Sequence, residues 1–549
     1  MRQYIALFCG LLLLTSISCR RANTEFVTVA LPDKLSTLDT LTTTGNDSAA
    51  ERVRNLMFNS MVKKDANFDY VGELASNIII SEDGVTLTFT LRDNVKFHNG
   101  KDFTSADVKY TFDKLIESKS FKAGAFFDTV PDVPPSSSPI PESPATSGAT
   151  PANTNAAPPA KVKTKQVPHI VSLETPDPKT VIFKVSRPAL ANQLLSNLVA
   201  IPIIPDGTFD QQKNQPVGSG PFKFVSFDAS QNFVELAGFP DYWDGPTKIA
   251  KLRVKTVTDA SAMQAELQTG GVDIAPLPSN LPPDSLRSLG ELANLKVEQF
   301  DGSNIQYLGL NAQSPPLDNV KVRQAIGYAI DREKIIKELL LGQAKIASSI
   351  LPTGSWAYSP GTQYNFDAEK SRQLLKEAGY KNEPLKFKYS TGNAAYNQYA
   401  QAIQNSLIDI GLNVQIETVA PDTLRDQLAK GQFQLNTGVW IGGNQDPIFF
   451  KDLFTTGRIP NPADNVFCCN RARYSSPEVD KIIDEAINST DRVKAKDLYI
   501  KAWDSISSDL PLFPLWYPAN MVVANRRIGN IKIGPSGDWS FIKDITVSN

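Results

Sequence analysis

The sequence predicts an α/β fold with mixed sheets, spread over more than one domain. Candidate strands and helices alternate along most of the chain, which is typical of α/β architecture. The chain has 549 residues, whereas single hydrophobic cores stop growing at roughly 250–300 residues. No internal repeat is visible, so a repeat architecture is not expected.

The composition is that of a globular protein and gives no reason to expect nucleic acid as a partner. Hydrophobic residues make up 41% of the chain and charged residues 21%. The 56 basic and 58 acidic residues leave a net charge of −2, whereas a nucleic-acid binder normally carries a basic face. Beyond the first twenty residues, no stretch approaches the ~20 apolar residues of a membrane-spanning helix.

The first nineteen residues resemble an export signal. A basic start at Met1-Arg2 precedes an apolar run, 5–14, and small residues then lead to Cys19. This order is typical of a secretory signal, and a cysteine at its exit resembles a bacterial lipobox, in which the thiol receives diacylglycerol. Ser16 stands where the lipobox prefers leucine, so an ordinary signal with an incidental cysteine is the alternative. We expect a signal at 1–19 and favour lipidation of Cys19.

Local patterns predict the elements of the first third of the chain. Strands have alternating or β-branched residues, and helices have apolar positions at helical spacing behind a polar cap. The predicted strands are 25–30, 78–80 and 87–91, and the predicted helices are 46–61 and 104–118.

Residues 131–168 interrupt this alternation. They are rich in Pro, Ser, Ala and Thr and contain no aromatic residue. Such a segment cannot bury enough apolar surface to offset its ordering entropy. A disordered loop is therefore predicted for 131–168, followed by a strand at 180–185.

Helices and strands alternate again through the rest of the chain. The predicted helices are 260–269, 319–341, 368–378, 396–410, 423–430, 476–487 and 491–508, and the predicted strands include 385–390 and 412–418.

Several sequence blocks carry a family resemblance. Residues 83–114 read DGVTLTFTLRDNVKFHNGKDFTSADVKYTFDK. Shorter blocks follow at 216–222 (PVGSGPF), 242–245, 270–273, 310–311 with 320–332, and 474–480 (YSSPEVD). In this order they resemble family 5 of the extracellular solute-binding proteins, the dipeptide, oligopeptide and nickel receptors of ABC importers.

The resemblance implies a type II-like periplasmic-binding-protein fold of the large three-domain class. In this class two lobes meet at a hinge and enclose a cleft, and an extra domain is inserted in the first lobe. Ligand capture follows from hinge closure of the lobes. The expected units are lobe I (25–62, 200–311 and 511–549), an inserted domain (63–199) and lobe II (312–510).

The residues of these blocks are expected to be mainly structural. His98 precedes the turn Asn99-Gly100 and is interpreted as a hydrogen-bonded structural histidine. Gly218 and Gly220 permit a tight turn with a close backbone approach. Arg332 is expected to cap carbonyl groups or to bridge domains.

The candidate ligand site is the loop 437–447, TGVWIGGNQDP, because turn residues follow a strand-like run. In relatives, as the resemblance implies, a matching W-x-x-D…D-P stretch lines the cleft, and the Asp three residues after the Trp holds the α-amine of a peptide. Gly443 occupies that position here, which leaves free α-amine recognition open, with Asp446 as a possible substitute.

Aromatic residues complete the predicted site. Trp440 is interpreted as a wall against which the ligand packs, with a core position as the alternative. Trp516 and Tyr517 stand where relatives place aromatics at the domain junction, and packing alone is an equal alternative for both. The candidate ligand-binding residues are Trp440, Gly442, Gly443, Asn444, Asp446, Tyr307, Trp516 and Tyr517.

The cysteines and histidines predict neither a metal site nor a cofactor. Cys468 and Cys469 are adjacent, so an exported chain could join them in a strained, labile vicinal disulfide, and two unlinked thiols are the alternative. Zinc prefers spaced ligands such as C-x₂-C. His98 and His169 are the only histidines.

The function predicted from these observations is that of a receptor and not of an enzyme. It would act as a monomer in the periplasm or at the cell surface, tethered by lipid, and hand a peptide or similar mid-sized solute to the permease of an ABC importer. A secreted hydrolase would need a nucleophile–base pair or opposed carboxylates. G-x-S-x-G and H-E-x-x-H motifs are absent from the sequence, but a carboxylate pair stays open. A chaperone or signalling receptor on the same fold is a further alternative.

Overall fold

The computed structural model describes residues 26–39, 41–42, 47–131, 164–391, 394–442, 445–461 and 469–548. Its strands are β1 (Val27–Leu31), β2 (Val62–Lys64), β3 (Tyr70–Gly72), β4 (Ala75–Ile80), β5 (Thr86–Leu91), β6 (Phe127–Pro131), β7 (Thr164–Pro168), β8 (Ile170–Asp177), β9 (Thr180–Val185), β10 (Phe222–Asp228), β11 (Phe233–Gly238), β12 (Lys251–Thr256), β13 (Ile274–Pro276), β14 (Leu295–Phe300), β15 (Ile305–Leu310), β16 (Ala344–Ile346), β17 (Pro384–Ser390), β18 (Asn413–Val419), β19 (Leu435–Trp440), β20 (Leu512–Pro518), β21 (Asn520–Asn525), β22 (Ile528–Gly529) and β23 (Thr546–Val547).

The helices alternate with these strands in the second half of the chain. They are α1 (Ser48–Met57), α2 (Ser105–Ser118), α3 (Phe121–Gly124), α4 (Ala189–Leu198), α5 (Ala260–Thr269), α6 (Pro283–Gly290), α7 (Val320–Ala329), α8 (Arg332–Glu338), α9 (Ala368–Ala378), α10 (Ala394–Asp409), α11 (Pro421–Ala429), α12 (Phe450–Phe454), α13 (Pro477–Asn488) and α14 (Arg492–Asp509). Among the described residues, none of these helices combines the length and the hydropathy that crossing a membrane requires.

Two large sheets define two lobes. The first lobe is built on a seven-stranded sheet of order β10-β11-β12-β1-β13-β21-β14, and the second lobe on a six-stranded sheet of order β16-β20-β15-β19-β17-β18. In the second lobe, one face of the sheet packs against α7 to α10 and the other against α12 to α14. Each lobe therefore has a sheet covered by helices and its own apolar core.

Over the described residues, the chain passes between the two large sheets twice, from β14 to β15 and from β20 back to β21. The two crossings lie side by side. A Cβ atom added to Gly302 would lie 2.0 Å from the carbonyl oxygen of Pro518. The side-chain Nδ2 of Asn520 donates to the carbonyl of Asp301 at 3.1 Å. Two adjacent crossings of a few residues are the geometry of a hinge.

The lobe boundaries expected from sequence, at 311/312 and 510/511, differ from this arrangement. β15 and β20 lie in the six-stranded sheet, so sheet membership places the crossings at 301–304 and at 519. The reason is that Asn311 marks the end of a strand of the second lobe and not the crossing. Its side chain donates to the carbonyls of Gly431 at 3.2 Å and Phe433 at 2.9 Å within that lobe.

A four-stranded sheet of order β4-β5-β9-β8 lies within the segment 63–199. Its inward-facing Phe89 and Phe183 belong to the same apolar cluster as Val29 and Leu252 of the seven-stranded sheet. The segment that the sequence predicts as an inserted domain therefore shares an apolar core with the first lobe.

Most predicted elements are confirmed within a few residues, and two differ. The helix predicted at 319–341 is two helices, because Ile330 is extended and the Asp331 carboxylate caps the start of α8 through the amide of Lys334 at 2.9 Å. At the ends of the predicted disordered loop, β6 and β7 pair as antiparallel strands. The rest of that loop, 132–163, lies outside the described residues.

His98 is structural, as predicted. The amide of Gly218 donates to its Nδ1 at 3.3 Å, so Nε2 carries the proton and donates to the carbonyl of Gly220 at 3.0 Å. Burial, with a smaller contribution from the charge of Lys223, lowers the pKa of His98 from 6.5 to about 4. The neutral ring fixes the 218–220 turn. The amide of Gly220 in this turn donates to the carbonyl of Met57, the last residue of α1, at 2.8 Å.

Arg332 caps carbonyl groups, as predicted. Its guanidinium donates to the carbonyls of Ala347 at 2.6 Å, Pro514 at 2.9 Å and Tyr364 at 3.2 Å. Burial lowers its pKa to about 10, which still leaves it charged at neutral pH. The residue ties α8 to β20 and to the loops beside it inside the second lobe.

The His98 geometry predicts a pH dependence of stability. The unfolded ring takes up a proton near pH 6.5 and the folded ring only near pH 4, so the contribution is complete above pH 6.5 and is lost as the pH falls toward 4. As the pH falls through this range, the wild type should lose up to about 3 kcal/mol of unfolding free energy that is not lost by His98→Gln. Urea unfolding of both proteins at pH 7, 5.5 and 4.5 measures the difference, and parallel pH profiles would contradict the assignment.

The turn at Gly218 predicts a steric effect. A Cβ at this position would lie 2.2 Å from the carbonyl oxygen of Met57, so we expect Gly218→Ala to lower the free energy of unfolding by about 1–3 kcal/mol. Gly124→Ala is the control, since a Cβ there meets nothing within 4 Å. Urea midpoints measure both, and equal midpoints for the two variants would show that the close approach is absent.

Candidate functional site

Both large sheets turn the carboxyl ends of their parallel strands toward the hinge. In the first lobe β1 pairs in parallel with β12 and β13, and in the second lobe β17 pairs in parallel with β18 and β19. β15 starts and β20 ends at the same edge as the end of β19, because both run antiparallel to their neighbours there. Ligands of open α/β sheets bind outside the carboxyl ends of the strands, so the site is expected between these two edges.

Trp440 is the last residue of β19 and lies at this edge, opposite Ile305. Its side chain is half-buried, neither walled off in the core nor free in solvent. Among the described residues its indole Nε1 has no hydrogen-bond partner although the atom is buried. The next residue, Ile441, is 66% exposed. Trp440 therefore offers a partly exposed aromatic surface at the cleft edge, and its indole N–H is buried without a partner in the described part of the chain.

The structure brings Trp440 together with Tyr307 and Tyr517 in one apolar cluster. Tyr307 and Tyr517 are both buried, and the hydroxyl of Tyr517 donates to the carbonyls of Ser349 and Leu351, each at 2.6 Å. These two tyrosines support Trp440 from within the second lobe. Their predicted ligand contact stays a prediction.

Trp516 lies on the opposite face of the same sheet. It is 2% exposed and packs edge-on against the ring of Tyr399, with ring centroids 5.1 Å apart. It belongs to the apolar cluster of α7 to α10, away from Trp440. Trp516 therefore occupies a packing position in the core of the second lobe, which is the alternative to ligand contact that the sequence left open.

The segment after Trp440 is fastened to the hinge. Gly442 has a φ of +71°, which favours glycine, and its amide donates to Oδ1 of Asn304 at 3.2 Å. Gly443 and Asn444, both predicted to bind ligand, lie outside the described residues.

Asp446 is buried and already has protein partners. Its carboxylate accepts from the hydroxyl of Tyr70 and, at 2.9 Å, from the amide of Ile448. Burial lowers the pKa of Lys64, and the nearby charge of Asp446 partly opposes that shift. A carboxylate that is satisfied in this way is a poor substitute for the one missing at Gly443.

Gln445 connects the same loop to two other parts of the molecule. Its Oε1 accepts from Nζ of Lys64 at 3.1 Å, and its Nε2 donates to Oγ of Ser303 in the hinge at 2.8 Å. The sequence did not reveal Lys64, Tyr70 or Ser303 as residues of the site. They lie some 140 to 380 positions from their partners, and no local pattern signals such a pairing.

Cys469 takes part in a disulfide and packs against the apolar cluster that contains Trp440. The other three cysteines, Cys9, Cys19 and Cys468, lie outside the described residues. The predicted pairing of Cys468 with Cys469 therefore stays a prediction. Among the described side chains, no group of three His, Cys, Asp or Glu is placed to hold a metal ion.

Comparison with known proteins identifies the family. Residues 69–461 match the middle region of the bacterial extracellular solute-binding proteins, family 5. The chain belongs to this family. Its fold is that of the type II periplasmic binding proteins, as the sequence predicted.

Relatives match over most of their length. The chain is 26% identical over 479 residues to the probable D,D-dipeptide-binding periplasmic protein DdpA of Escherichia coli K12, covering 85% of this chain and 83% of that protein. It is 26% identical over 518 residues to heme-binding protein A of Haemophilus influenzae, covering 88% and 86%. The solved structure of the periplasmic binding protein DppA of Helicobacter pylori with the peptide STSA has a TM-score of 0.70 at 23% identity, covering 95% of this chain and 98% of that one.

These findings describe a family of substrate-binding receptors that work outside the cytoplasm with ABC importers. They do not favour the hydrolase, the chaperone or the signalling receptor that the sequence had left as alternatives.

Proposed function

We propose that this protein captures a peptide or similar mid-sized solute and presents it to an ABC importer by closing its two lobes. The observation that carries the proposal is the position of Trp440 at the carboxyl edge of β19, beside both hinge crossings. A ligand between the lobes would pack on this indole, and the unpaired Nε1–H would become available to an acceptor on the ligand once movement of the lobes uncovers it. Similar proteins are named as D,D-dipeptide-binding, oligopeptide-binding and heme-binding proteins, which supports this solute class.

The described loop favours recognition through backbone groups and an aromatic wall over recognition through charge. Asp446 is paired with Tyr70 and faces Lys64, so its charge is already compensated. Pockets of this kind orient a ligand with a few polar groups on a mainly apolar lining. We therefore propose a receptor whose affinity depends more on Trp440 than on a salt bridge to an α-ammonium group.

We further propose that the receptor is a monomer, is not an enzyme, and is held at the membrane by acylation of Cys19. The basic start, the short apolar run and the small residues before Cys19 support export. Two or more acyl chains anchor a protein stably, whereas one chain gives only reversible binding.

Ligand binding can be tested on the mature chain with a tryptic digest of casein as the probe. A solute at a hundredfold its Kd stabilises the folded state by about 2.7 kcal/mol, so we expect a clear rise in melting temperature. Trp440→Ala should abolish this rise, because the wall and its donor are lost.

The matched control is Trp243→Phe, which affects an indole packed against the apolar cluster of the first lobe. Trp243 donates to Asn59 at 3.1 Å and lies under the guanidinium of Arg92. We expect this variant to melt earlier but to keep the full response to the digest. An undiminished response of Trp440→Ala would contradict the proposed site, and no response of the wild type would contradict a peptide ligand.

The anchor can be tested in cells that process lipoproteins. We expect the wild-type chain in the membrane fraction and Cys19→Ser in the soluble periplasmic or secreted fraction, since the serine cannot receive a thioether-linked lipid. Immunoblots of both fractions measure the distribution. A wild-type chain that is soluble, or a variant that stays at the membrane, would show that Cys19 is not the anchor.

A further inference from the structure

The β2–β3 hairpin reaches from the first lobe to the second. Its base is part of the first lobe, because Val62 lies in the same apolar cluster as β1 and β12. Its turn contacts the second lobe. Phe68 in this turn is only 4% exposed, and a Cβ added to Gly354 of the second lobe would lie 3.3 Å from its ring. The hairpin therefore spans the gap between the two lobes.

Two buried contacts join this hairpin to the candidate ligand loop. The hydroxyl of Tyr70 donates to the carboxylate of Asp446, and Nζ of Lys64 donates to Oε1 of Gln445 at 3.1 Å. Asp446 and Gln445 are both buried, at 6% and 4% exposure. Hydrogen bonds to charged groups are stronger than neutral ones, and burial keeps solvent from weakening them.

A third contact between the lobes lies at the rim. Asp69 pairs with Arg492, whose guanidinium also lies 4.9 Å from the ring centroid of Trp356. The Arg492 side chain is 58% exposed and that of Asp69 38%. Exposed ion pairs contribute little to stability because water and salt screen them. The buried contacts of Tyr70 and Lys64 are thus expected to dominate.

The same short segment also contacts the hinge and carries the candidate ligand wall. Gln445 donates to Ser303, and the amide of Gly442 donates to Asn304. Trp440 precedes these residues directly in the chain. The contact with the hairpin, the contact with the hinge and the candidate ligand wall are therefore made by residues of one short segment: Trp440, Gly442, Gln445 and Asp446.

We propose that the β2–β3 hairpin is a latch that holds the lobes together, and that Tyr70 and Lys64 engage it by binding Asp446 and Gln445. The latch rests on the proposed receptor function, since it sets how much of the ligand-free protein is already closed. A ligand that binds the closed form gains apparent affinity in proportion to that fraction.

Single-molecule FRET on the ligand-free mature chain tests the latch. Dyes are attached through p-acetylphenylalanine introduced at Lys213 in the first lobe and Glu369 in the second, both of which are exposed. We expect a closed population in the wild type. Tyr70→Phe and Lys64→Met should each lower the closed-to-open ratio about tenfold, the factor that corresponds to about 1.4 kcal/mol.

Matched controls separate a latch from general destabilisation. Lys63→Met changes the exposed neighbour of Lys64, and Tyr380→Phe removes a hydroxyl that donates to Glu383 within the second lobe. Both should leave the ratio unchanged. Arg492→Gln removes the exposed pair and should change the ratio about twofold or less.

The outcomes are decisive and independent of the ligand. A wild type without a closed population, or Tyr70→Phe and Lys64→Met variants with wild-type ratios, would overturn the latch. Because no solute is present, these results do not depend on whether the casein digest binds. Failure of the digest to bind would instead count against the proposed function, and the latch measurement would stand.

Discussion

The structure depends on a constraint of chain connectivity: across the residues that the structure describes, the strands pass between the two large sheets at two places, which lie side by side. Gly302 approaches the carbonyl of Pro518 so closely that a side chain could not be accommodated. Asn520 fixes the arrangement by donating to the carbonyls of Asp301, Gly534 and Pro535. Because the second lobe has apolar cores of its own, this narrow connection favours rotation of the lobes as rigid bodies.

The buried polar groups are distributed in a way that suits such a motion. Inside the second lobe, Arg332 donates to three carbonyls from different segments and so makes the lobe rigid. His98 bonds to both Gly218 and Gly220 and so fixes the 218–220 turn, whose Gly220 amide donates to the carbonyl of Met57 at the end of α1. Between the lobes, by contrast, a small number of contacts is found among the described residues: the β2–β3 hairpin meets Gln445, Asp446 and Arg492, and Gln299 and Gln343 each donate to a carbonyl of the other lobe. Strong bonds within the lobes and few between them allow hinge motion without loss of internal structure.

Features that depend on neighbouring residues could be predicted from the sequence. Asp47 caps α1 through the amide of Ala50, and Thr104 and Asp107 form a capping box at α2. The break between α7 and α8 was missed because the helical pattern is continuous on both sides of it, and only Ile330 and Asp331 separate the two helices. The lobe boundaries were misplaced because the pairing of β15 and β20 is decided by tertiary contacts that no local pattern records.

The same distinction holds for the site. Trp440 and Asp446 were predicted because they stand together in one segment that resembles the family, and their contact with a ligand stays a prediction. Trp516 was predicted from a resemblance of the same kind. Side chains alternate between the two faces of a strand, and that of Trp516 lies on the face of the sheet opposite to Trp440. Tyr70 and Lys64 could not be found, since only folding brings them to a loop more than 370 residues away.

Small-angle X-ray scattering tests the central claim, which is that the lobes close over a solute about the two crossings. The protein is isolated with its native solute, and a second sample is stripped by unfolding in guanidinium and refolded. If the lobes close over the solute, the stripped protein has a larger radius of gyration, and the radius returns to the smaller value when the released solute is added back. Identical radii in all three samples would contradict it.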